Sequence, residues 1–325
     1  MIMLRRLVRH SIARRVIEMV LTLLGVAVLV FIMLRAIPGD QITASLGTEA
    51  AALTPEQRDA LAAYYGIDQP LPVQFLSWLG NLLTGNLGVS QRTGQTVLDM
   101  TAHALPITVE LGVLSLLVGL IIGVPLAMIS ASRPDSLRDG AGQAVGLAGL
   151  SIPAFLLGSA LLAASARFLG YNPNAERFAT LLQDPGRNLQ QLLMPALVLG
   201  FGIAAPIMRT ARSALLEVRA QDFVRTAEGK GVPPGRIRLR HVLRNALVPI
   251  VTMTGIQFGY LLGGAVVVEQ IFSVPGIGRQ VLTGINQKEY AVVQSTVLVI
   301  ALAFVLVNLA TDVLYRIIDP RVRAE

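Results

Sequence analysis

The sequence predicts an all-α, polytopic membrane protein with six transmembrane helices and a small helical domain on its outer face. Hydrophobic residues fill 53% of the 325 positions and charged residues only 14%, whereas a soluble globular protein is about 25% charged. Six apolar stretches are long enough to cross a bilayer, which takes about 20 residues. The lack of cysteine excludes disulfides and thiolate chemistry.

The six predicted spans follow one another along the chain. They are 16–37, 105–130, 141–166, 192–211, 247–272 and 291–315. The basic segment 1–15 and the first apolar run look like a secretory signal peptide. However, the run is too long for one and ends in "LRAIPGD" without an A-x-A cleavage site. The first span is therefore predicted to be retained.

Basic residues set the predicted orientation. If the N-terminus is cytoplasmic, nineteen of the 27 Lys and Arg fall on inside segments and eight on outside segments. Both termini, including the tail 319–325, are thus predicted in the cytoplasm. The net charge of +7 then requires no nucleic-acid partner. Residues 38–103 become external, and 104–318 form a five-helix core in the lipid bilayer.

The external segment is too strongly patterned for a plain loop. In "LTPEQRDALAAYYGIDQP", Thr54 is the predicted N-cap, Gln57 completes a capping box and Gly66 ends the helix. A second stretch, "PVQFLSWLGNLLTG", repeats apolar residues with a helical period. We expect this small domain to pack on the membrane core, with contact to an external partner as the alternative.

Glycines mark predicted helix-packing faces. Gly255, Gly259 and Gly263 recur at every fourth residue of the fifth span, so they share one helix face. Small residues let helices approach closely in a membrane. The same spacing recurs at Gly119, Gly123, Gly142 and Gly146. We expect these faces to pack within the chain, with a subunit interface as the alternative.

The longest cytoplasmic segment, 212–245, contains the polar stretch "QDFVRTAEGKG" between two apolar spans. Its residues favour a helix, with Asp222 near the start and Lys230 near the end, as the helix dipole prefers. Gly231 can adopt the left-handed conformation that ends a helix, and two prolines follow. Because short isolated helices are marginal in water, this one is predicted to dock on something.

This segment resembles a known family. "DFVRTAEGKGVPPGRIRLRHVLRNALVPIVT" is similar to the EAA loop of ATP-binding-cassette (ABC) importer permeases of the peptide/nickel (oligopeptide/dipeptide) type. The stretches "YYGIDQPLPVQFLSWLGNLLTGNLGVS", "SIPAFLLG", "GGAVVVEQIFSVPGIGRQV" and "DPRVR" resemble the B-type membrane subunit of that family. The resemblance covers nearly the whole chain, and only 167–187 shows no family pattern.

The resemblance implies the type I ABC importer fold and a permease subunit in the bacterial inner membrane. It also implies a second homologous permease, two ATPase subunits that carry ATP and Mg, and an external solute-binding protein. Peptides are the implied cargo, with nickel chelates, glutathione, sugars or opines as alternatives.

The resemblance also assigns a role to the cytoplasmic helix, which would seat in a cleft of the ATPase and couple nucleotide-driven closure to the membrane helices. Its implied residues are Gln221, Asp222, Phe223, Arg225, Thr226, Ala227, Glu228, Lys230 and Gly231. Phe223 and Ala227 would supply the face that the ATPase buries.

Polar side chains within the spans are candidates to line a substrate path, because such groups are costly in a bilayer. The pathway candidates are Gln257, Glu269 and Asn308. Gln257 lies near mid-span and is the strongest of them. Glu110, Glu269 and Asp312 lie near predicted span ends, which favours the alternative that they form hydrogen bonds at helix ends or between helices.

No enzymatic activity is predicted for this chain. Its three histidines, His10, His103 and His241, are far apart in sequence and have no HExxH spacing, so no metal site is expected. No G-x-x-x-x-G-K-[ST] motif occurs, so ATP hydrolysis is expected on partner subunits, with no cofactor on this chain. An ion-coupled secondary transporter or channel, or an integral membrane enzyme, would leave the matched cytoplasmic helix unexplained.

Overall fold

The computed structural model describes residues 2–36, 42–43 and 47–318. The fully described α-helices of six or more residues are α1 (Ile2–Ala36), α2 (Pro55–Tyr65), α3 (Leu71–Leu83), α4 (Val97–Ser132), α5 (Leu137–Ser151), α6 (Ala154–Ala164), α7 (Pro185–Arg219), α8 (Asp222–Gly229), α9 (Arg244–Gly264), α10 (Val266–Ile271), α11 (Ile277–Asn286) and α12 (Tyr290–Ile318). No β-strand is present among these described residues, which confirms the all-α class. The predicted span end at Ile37 and the tail 319–325 lie outside them.

Five helical segments are long and apolar enough to cross a membrane. They are Arg15–Ala36, Val97–Ser132, Pro185–Arg219, Pro234–Gly264 and Tyr290–Thr311. A sixth span results if Leu137–Ser151 and Ala154–Leu169 are counted together, although the two are bent by 95°. The bend lies at Pro153, because proline disfavours helical backbone in the residue before it. The third predicted span is therefore a broken helix.

The chain divides into two compact units. One contains the chain up to Pro106 together with Arg279–Val305, and the other contains Ile107–Gly278 together with the chain from Leu306 onward. The boundaries between the predicted segments 1–15, 16–37, 38–103 and 104–318 remain predictions.

In the first unit, the local signals around α2 fold as predicted. The Thr54 side chain accepts a hydrogen bond from the Gln57 amide, and the Gln57 side chain accepts one from the Thr54 amide. Gly66 ends the helix with a φ of +66°. Further along, α3 packs against α1, where the Phe75 and Phe31 rings meet edge to face with centroids 5.2 Å apart.

The loop after α3 is fixed to the start of α12 within the same unit. Ser295 donates a hydrogen bond of 2.7 Å to the Leu87 carbonyl. Gly88, with a φ of +88°, lies so close to Ala291 that an added Cβ would stand 3.0 Å from the alanine side chain. These contacts place the loop against the first turn of α12.

In the second unit, α7 is the central helix and glycines let its neighbours approach it. An added Cβ at Gly123 of α4 would stand 2.7 Å from the Ala204 carbonyl oxygen of α7. On α5, an added Cβ at Gly142 would stand 3.3 Å from the Met208 side chain of α7. The predicted intrachain packing is therefore confirmed for these glycines.

The glycine face of α9 behaves differently along its length. An added Cβ at Gly255 would collide with Thr311 of α12, and Gly259 is buried. Gly263 is exposed, with no heavy atom near an added Cβ in the described part of the chain. A packing role for Gly263 therefore stays a prediction, since nothing in the described part of this chain contacts that position.

Two predicted segments are longer helices than expected. The helix of the second span starts at Val97 instead of 105, because Thr96 caps it by accepting a hydrogen bond of 3.1 Å from the Asp99 amide. Helix α7 continues past the predicted end of the fourth span at Ala211 and stops at Arg219. The segment predicted to be cytoplasmic therefore begins as helix rather than loop.

Candidate functional site

The polar stretch forms a separate short helix, α8, immediately after α7. Only Ala220 and Gln221 separate the two helices, and Gln221 has the extended backbone of an N-cap. At the other end, Gly231 has a φ of +73°. Its amide donates to the Glu228 carbonyl (2.9 Å), and the next amide, from Val232, donates to the Ala227 carbonyl (3.2 Å). These two bonds form a Schellman motif, which confirms the predicted helix end.

One face of α8 is anchored to the chain's own hydrophobic core. Val224 is only 1% exposed and belongs to a buried cluster with Leu215 of α7 and Ala131 of α4. Ala227, one turn further, packs partly against the same cluster, as does Val232. Because Val224 and Ala227 are three residues apart, they lie on one helix face. This face orients α8 on the second unit.

The rest of the surface of α8 is open. Phe223 is 42% exposed although it is a large apolar side chain. Asp222 and Arg225 form a weak ion pair of 3.7 Å with both side chains exposed, and Lys230 is exposed at the helix end. The Thr226 hydroxyl donates to the Asp222 carbonyl at 2.9 Å and so stays within the helix. The open face therefore presents one aromatic ring surrounded by charges.

The structure changes one part of the predicted site. Ala227, expected with Phe223 on the face that a partner buries, contacts the chain's own core instead. Val224, which the sequence reading did not include, is the main anchor. The three-residue spacing of Val224 and Ala227 was the signal for this face. The other predicted residues of the helix, Asp222, Arg225, Glu228 and Lys230, are all exposed.

A polar network that sequence reasoning missed lies beside α8's anchor. The Arg212 side chain of α7 donates to both carboxylate oxygens of Asp139 on α5, at 2.8 and 2.6 Å. Ser130 of α4 also donates to Asp139, and Gln143 donates to it at 2.9 Å. Asp139 is only 1% exposed. The network therefore joins α4, α5 and α7 at one point.

The pathway candidates occupy different environments. Glu269 is fully buried and accepts a hydrogen bond of 2.6 Å from Thr108, whose hydroxyl also accepts one from the Ile277 amide. This geometry gives Glu269 a role in joining helices within the unit, as the alternative interpretation expected. Gln257 and Asn308 are half-buried, so their side chains remain partly accessible.

The other two polar candidates add little to a pathway. Glu110 accepts a hydrogen bond of 3.3 Å from Asn188 and is half-buried. The side chain of Asp312 lies outside the described part of the chain. Within that described part, no group of three or more His, Cys, Asp or Glu side chains is arranged to hold a metal ion.

Comparison with known families gives two matches that together cover nearly the whole chain. Residues 123–324 match the family described as "Binding-protein-dependent transport system inner membrane component". Residues 3–112 match the family model for the N-terminal part of such membrane components. Both the described helices and the polar stretch at 221–231 lie within these ranges, apart from a short interval in α4.

Several curated proteins are similar over almost their full length. A Brucella ovis protein named as a peptide permease is 40% identical over 304 residues, which cover 93% of this chain and 95% of the relative. The di/tripeptide transport system permease of Pseudomonas aeruginosa is 38% identical, covering 96% and 98%. The glutathione transport system permease of Pectobacterium atrosepticum is 37% identical, covering 95% and 97%.

A solved structure shares the fold. One chain of a methionine ABC transporter in an inward-facing conformation matches with a TM-score of 0.55. The match covers 68% of this chain and 96% of that chain at 18% identity. The similarity at this level concerns the fold alone.

Proposed function

The chain belongs to the family of binding-protein-dependent transport system inner membrane components, and on that basis we propose that it forms half of the translocation pathway of an importer for peptides or a related small solute. It is a multi-pass permease subunit with the type I ABC importer fold, as the resemblance implied. It is not itself an enzyme, and ATP hydrolysis belongs to partner subunits.

Helix α8 carries this proposal. Its inner face is fixed by Val224, while Phe223 stands exposed on a helix with a sharply defined end at Gly231. An exposed aromatic ring on an otherwise anchored short helix is the kind of anchor that a partner pocket buries. In the proposed complex, the ring of Phe223 enters the ATPase cleft and the surrounding charges orient the helix.

The proposed assembly has further parts. A second homologous permease completes the pathway, and two ATPase subunits bind ATP and Mg. A solute-binding protein delivers the cargo to the outer face. The excess of Lys and Arg on alternate segments supports a cytoplasmic position for both termini and for the segment 212–245. Residues 38–103 then form the outer helical domain.

The names of the similar proteins support peptides as the class of cargo. Two are named as peptide permeases and a third as a glutathione permease, and glutathione is itself a modified tripeptide. Gln257 and Asn308 are the proposed pathway-lining residues, since both side chains are partly accessible. We do not include Glu269 in the proposed pathway, because its carboxylate is fully buried.

The test is to purify the chain in mild detergent together with its native neighbours and to identify the bound proteins by mass spectrometry. We expect a P-loop ATPase and a second permease with the wild type, and loss of the ATPase alone with Phe223→Asp. Leu182→Asp is the matched control, because Leu182 is 96% exposed in a loop outside α8.

Uptake into vesicles provides the second measurement. We expect accumulation of a labelled dipeptide that depends on ATP, the ATPase and the binding protein. A chain that purifies alone and drives uptake from an ion gradient would contradict the proposal and point to a secondary transporter.

A further inference from the structure

The first unit contains a cavity that has no part in the proposed docking of α8. Its volume is about 490 Å³, within the range of small-molecule sites, roughly 300–1,000 Å³. The end of α1, the turn before α3, α3 itself and the start of α12 wall it. All of its lining residues belong to the same compact unit.

Arg35 is held in place at the wall of this cavity. Its Nε and Nη2 atoms both donate to the Gln74 side-chain oxygen, at 3.0 and 2.8 Å. Gln74 in turn donates to the Gln69 carbonyl at 2.8 Å, and the guanidinium lies 3.6 Å from the centre of the Phe31 ring. In the part of the chain that the structure describes, no carboxylate forms an ion pair with Arg35. The guanidinium is thus preorganised and keeps N–H groups for a further acceptor.

A second cavity residue has a side-chain nitrogen without an acceptor among the described residues. Gln294, on the first turns of α12, is only 5% exposed, and its Nε2 atom donates to no acceptor within the described residues. A buried amide N–H without an acceptor is destabilising, so such groups are rare in native proteins. Because Gln294 lines the cavity, a ligand oxygen bound there is a candidate acceptor for this N–H.

The remaining wall combines amides and aromatic rings with several aliphatic side chains. Asn81 and Asn86 contribute amide groups, and Trp78 and Tyr290 contribute rings. Amides match the donors and acceptors of peptide bonds, and a guanidinium binds the two oxygens of a carboxylate side by side. We propose that this cavity binds a small solute with a carboxylate next to amide groups, which is the chemistry of the C-terminal end of a short peptide. The carboxylate pairs with Arg35, and a ligand oxygen accepts from Gln294.

A phospholipid phosphate would also suit an arginine beside aromatic rings. The amides of the wall and the buried Gln294 N–H favour the peptide-like solute, because lipid acyl chains cannot use these hydrogen-bonding groups. The proposal rests on the proposed function only in regarding this solute as a cargo, since binding itself requires no ATPase.

The experiment measures binding of trialanine to the full chain in phosphatidylcholine nanodiscs by isothermal titration calorimetry. We expect trialanine to bind and N-acetyl-trialanine amide, which has no carboxylate, to bind at least tenfold more weakly. Arg35→Gln should weaken trialanine binding at least tenfold. Arg92→Gln is the matched control, because Arg92 is exposed and lies outside the cavity.

Gln294→Leu separates a ligand donor from a packing defect. It should weaken trialanine binding at least threefold while the melting temperature stays the same or rises, because an unpaired buried amide is removed. Equal binding by wild type, Arg35→Gln and Gln294→Leu would overturn the proposal. So would equal binding of the amidated peptide, or Arg35-dependent displacement of trialanine by phosphatidylglycerol in the nanodisc.

These outcomes are independent of the proposed function. Loss of this binding with intact ATP-driven uptake would remove the cavity site and leave the importer. Intact trialanine binding without ATPase association would support the cavity site and contradict the proposed importer.

Discussion

Two adjacent residues on α8, Phe223 and Val224, should differ in their effect on ATPase binding when each is replaced by alanine. Phe223 is 42% exposed; with roughly 200 Å² for a whole phenylalanine side chain, about 80 Å² remain to be buried on docking. At about 25 cal/mol per Å², that surface corresponds to about 2 kcal/mol. We therefore expect Phe223→Ala to weaken binding of the ATPase subunit about 30-fold, an effect that Val224→Ala should not have.

Val224 is only 1% exposed, so its replacement should lower the stability of the chain rather than the affinity for the ATPase. Its replacement by alanine removes two buried methyl groups, worth about 0.8 kcal/mol each, and leaves a small cavity. The expected loss is about 2 kcal/mol in the free energy of unfolding, with little change in the affinity for the ATPase when the folded fraction is compared.

Biolayer interferometry with the purified ATPase gives the affinity, and denaturant titration in detergent gives the free energy of unfolding. The reasoning is refuted if Phe223→Ala unfolds the chain more easily while its affinity stays at the wild-type value. That result would mean that the ring is part of the core and that the open face lies elsewhere.

Three further variants test the backbone and the helix packing. Gly231→Ala should cost about 1–2 kcal/mol of stability, because its φ of +73° is left-handed and an added Cβ would meet no neighbouring atom that changes this cost. Gly229→Ala lies at a helical position with open space and should be neutral or slightly stabilising. Denaturant titration measures both changes. Gly123→Ala should cost about 1–3 kcal/mol of stability by pushing α4 away from α7, whereas Gly263→Ala should not alter stability. A large loss of stability in Gly263→Ala would mean that α9 packs along its full length. Asp139→Ala should lower the melting temperature, because it leaves Arg212 without its partner. The control is removal of the exposed ion pair between Asp222 and Arg225 on α8. An equal fall in melting temperature in the control would mean that the network around Asp139 has no special structural role.

The local signals were sufficient where a few neighbouring residues decide the conformation. Thr54, Gln57 and Gly66 define α2 through contacts within one or two turns, and Gly231 ends α8 in the same way. The start of α4 could also have been found, since Thr96 and Asp99 have the spacing of a helix cap.

The orientation of α8 could not be read with the same certainty. The helix has eight residues, too few for a clear hydrophobic period, and Phe223 and Val224 are adjacent and both apolar. Which of them is buried depends on Leu215 and Ala131, which belong to other helices. The pair between Arg212 and Asp139, which joins α7 to α5, likewise links residues that are 73 positions apart in sequence.

The bond between Arg212 and Asp139 divides α7 into a short and a long arm. Arg212 lies seven residues from the end of α7 at Arg219 and 27 residues from its start at Pro185. At 1.5 Å per residue, the arms measure about 10 and 40 Å. If α7 pivots rigidly at Arg212, a shift of about 1 Å beside α8 becomes a swing of about 4 Å at the far end. Pro195 and Pro206 both lie within the long arm, so the stiffness of the helix at these two prolines sets how much of the movement reaches the far end.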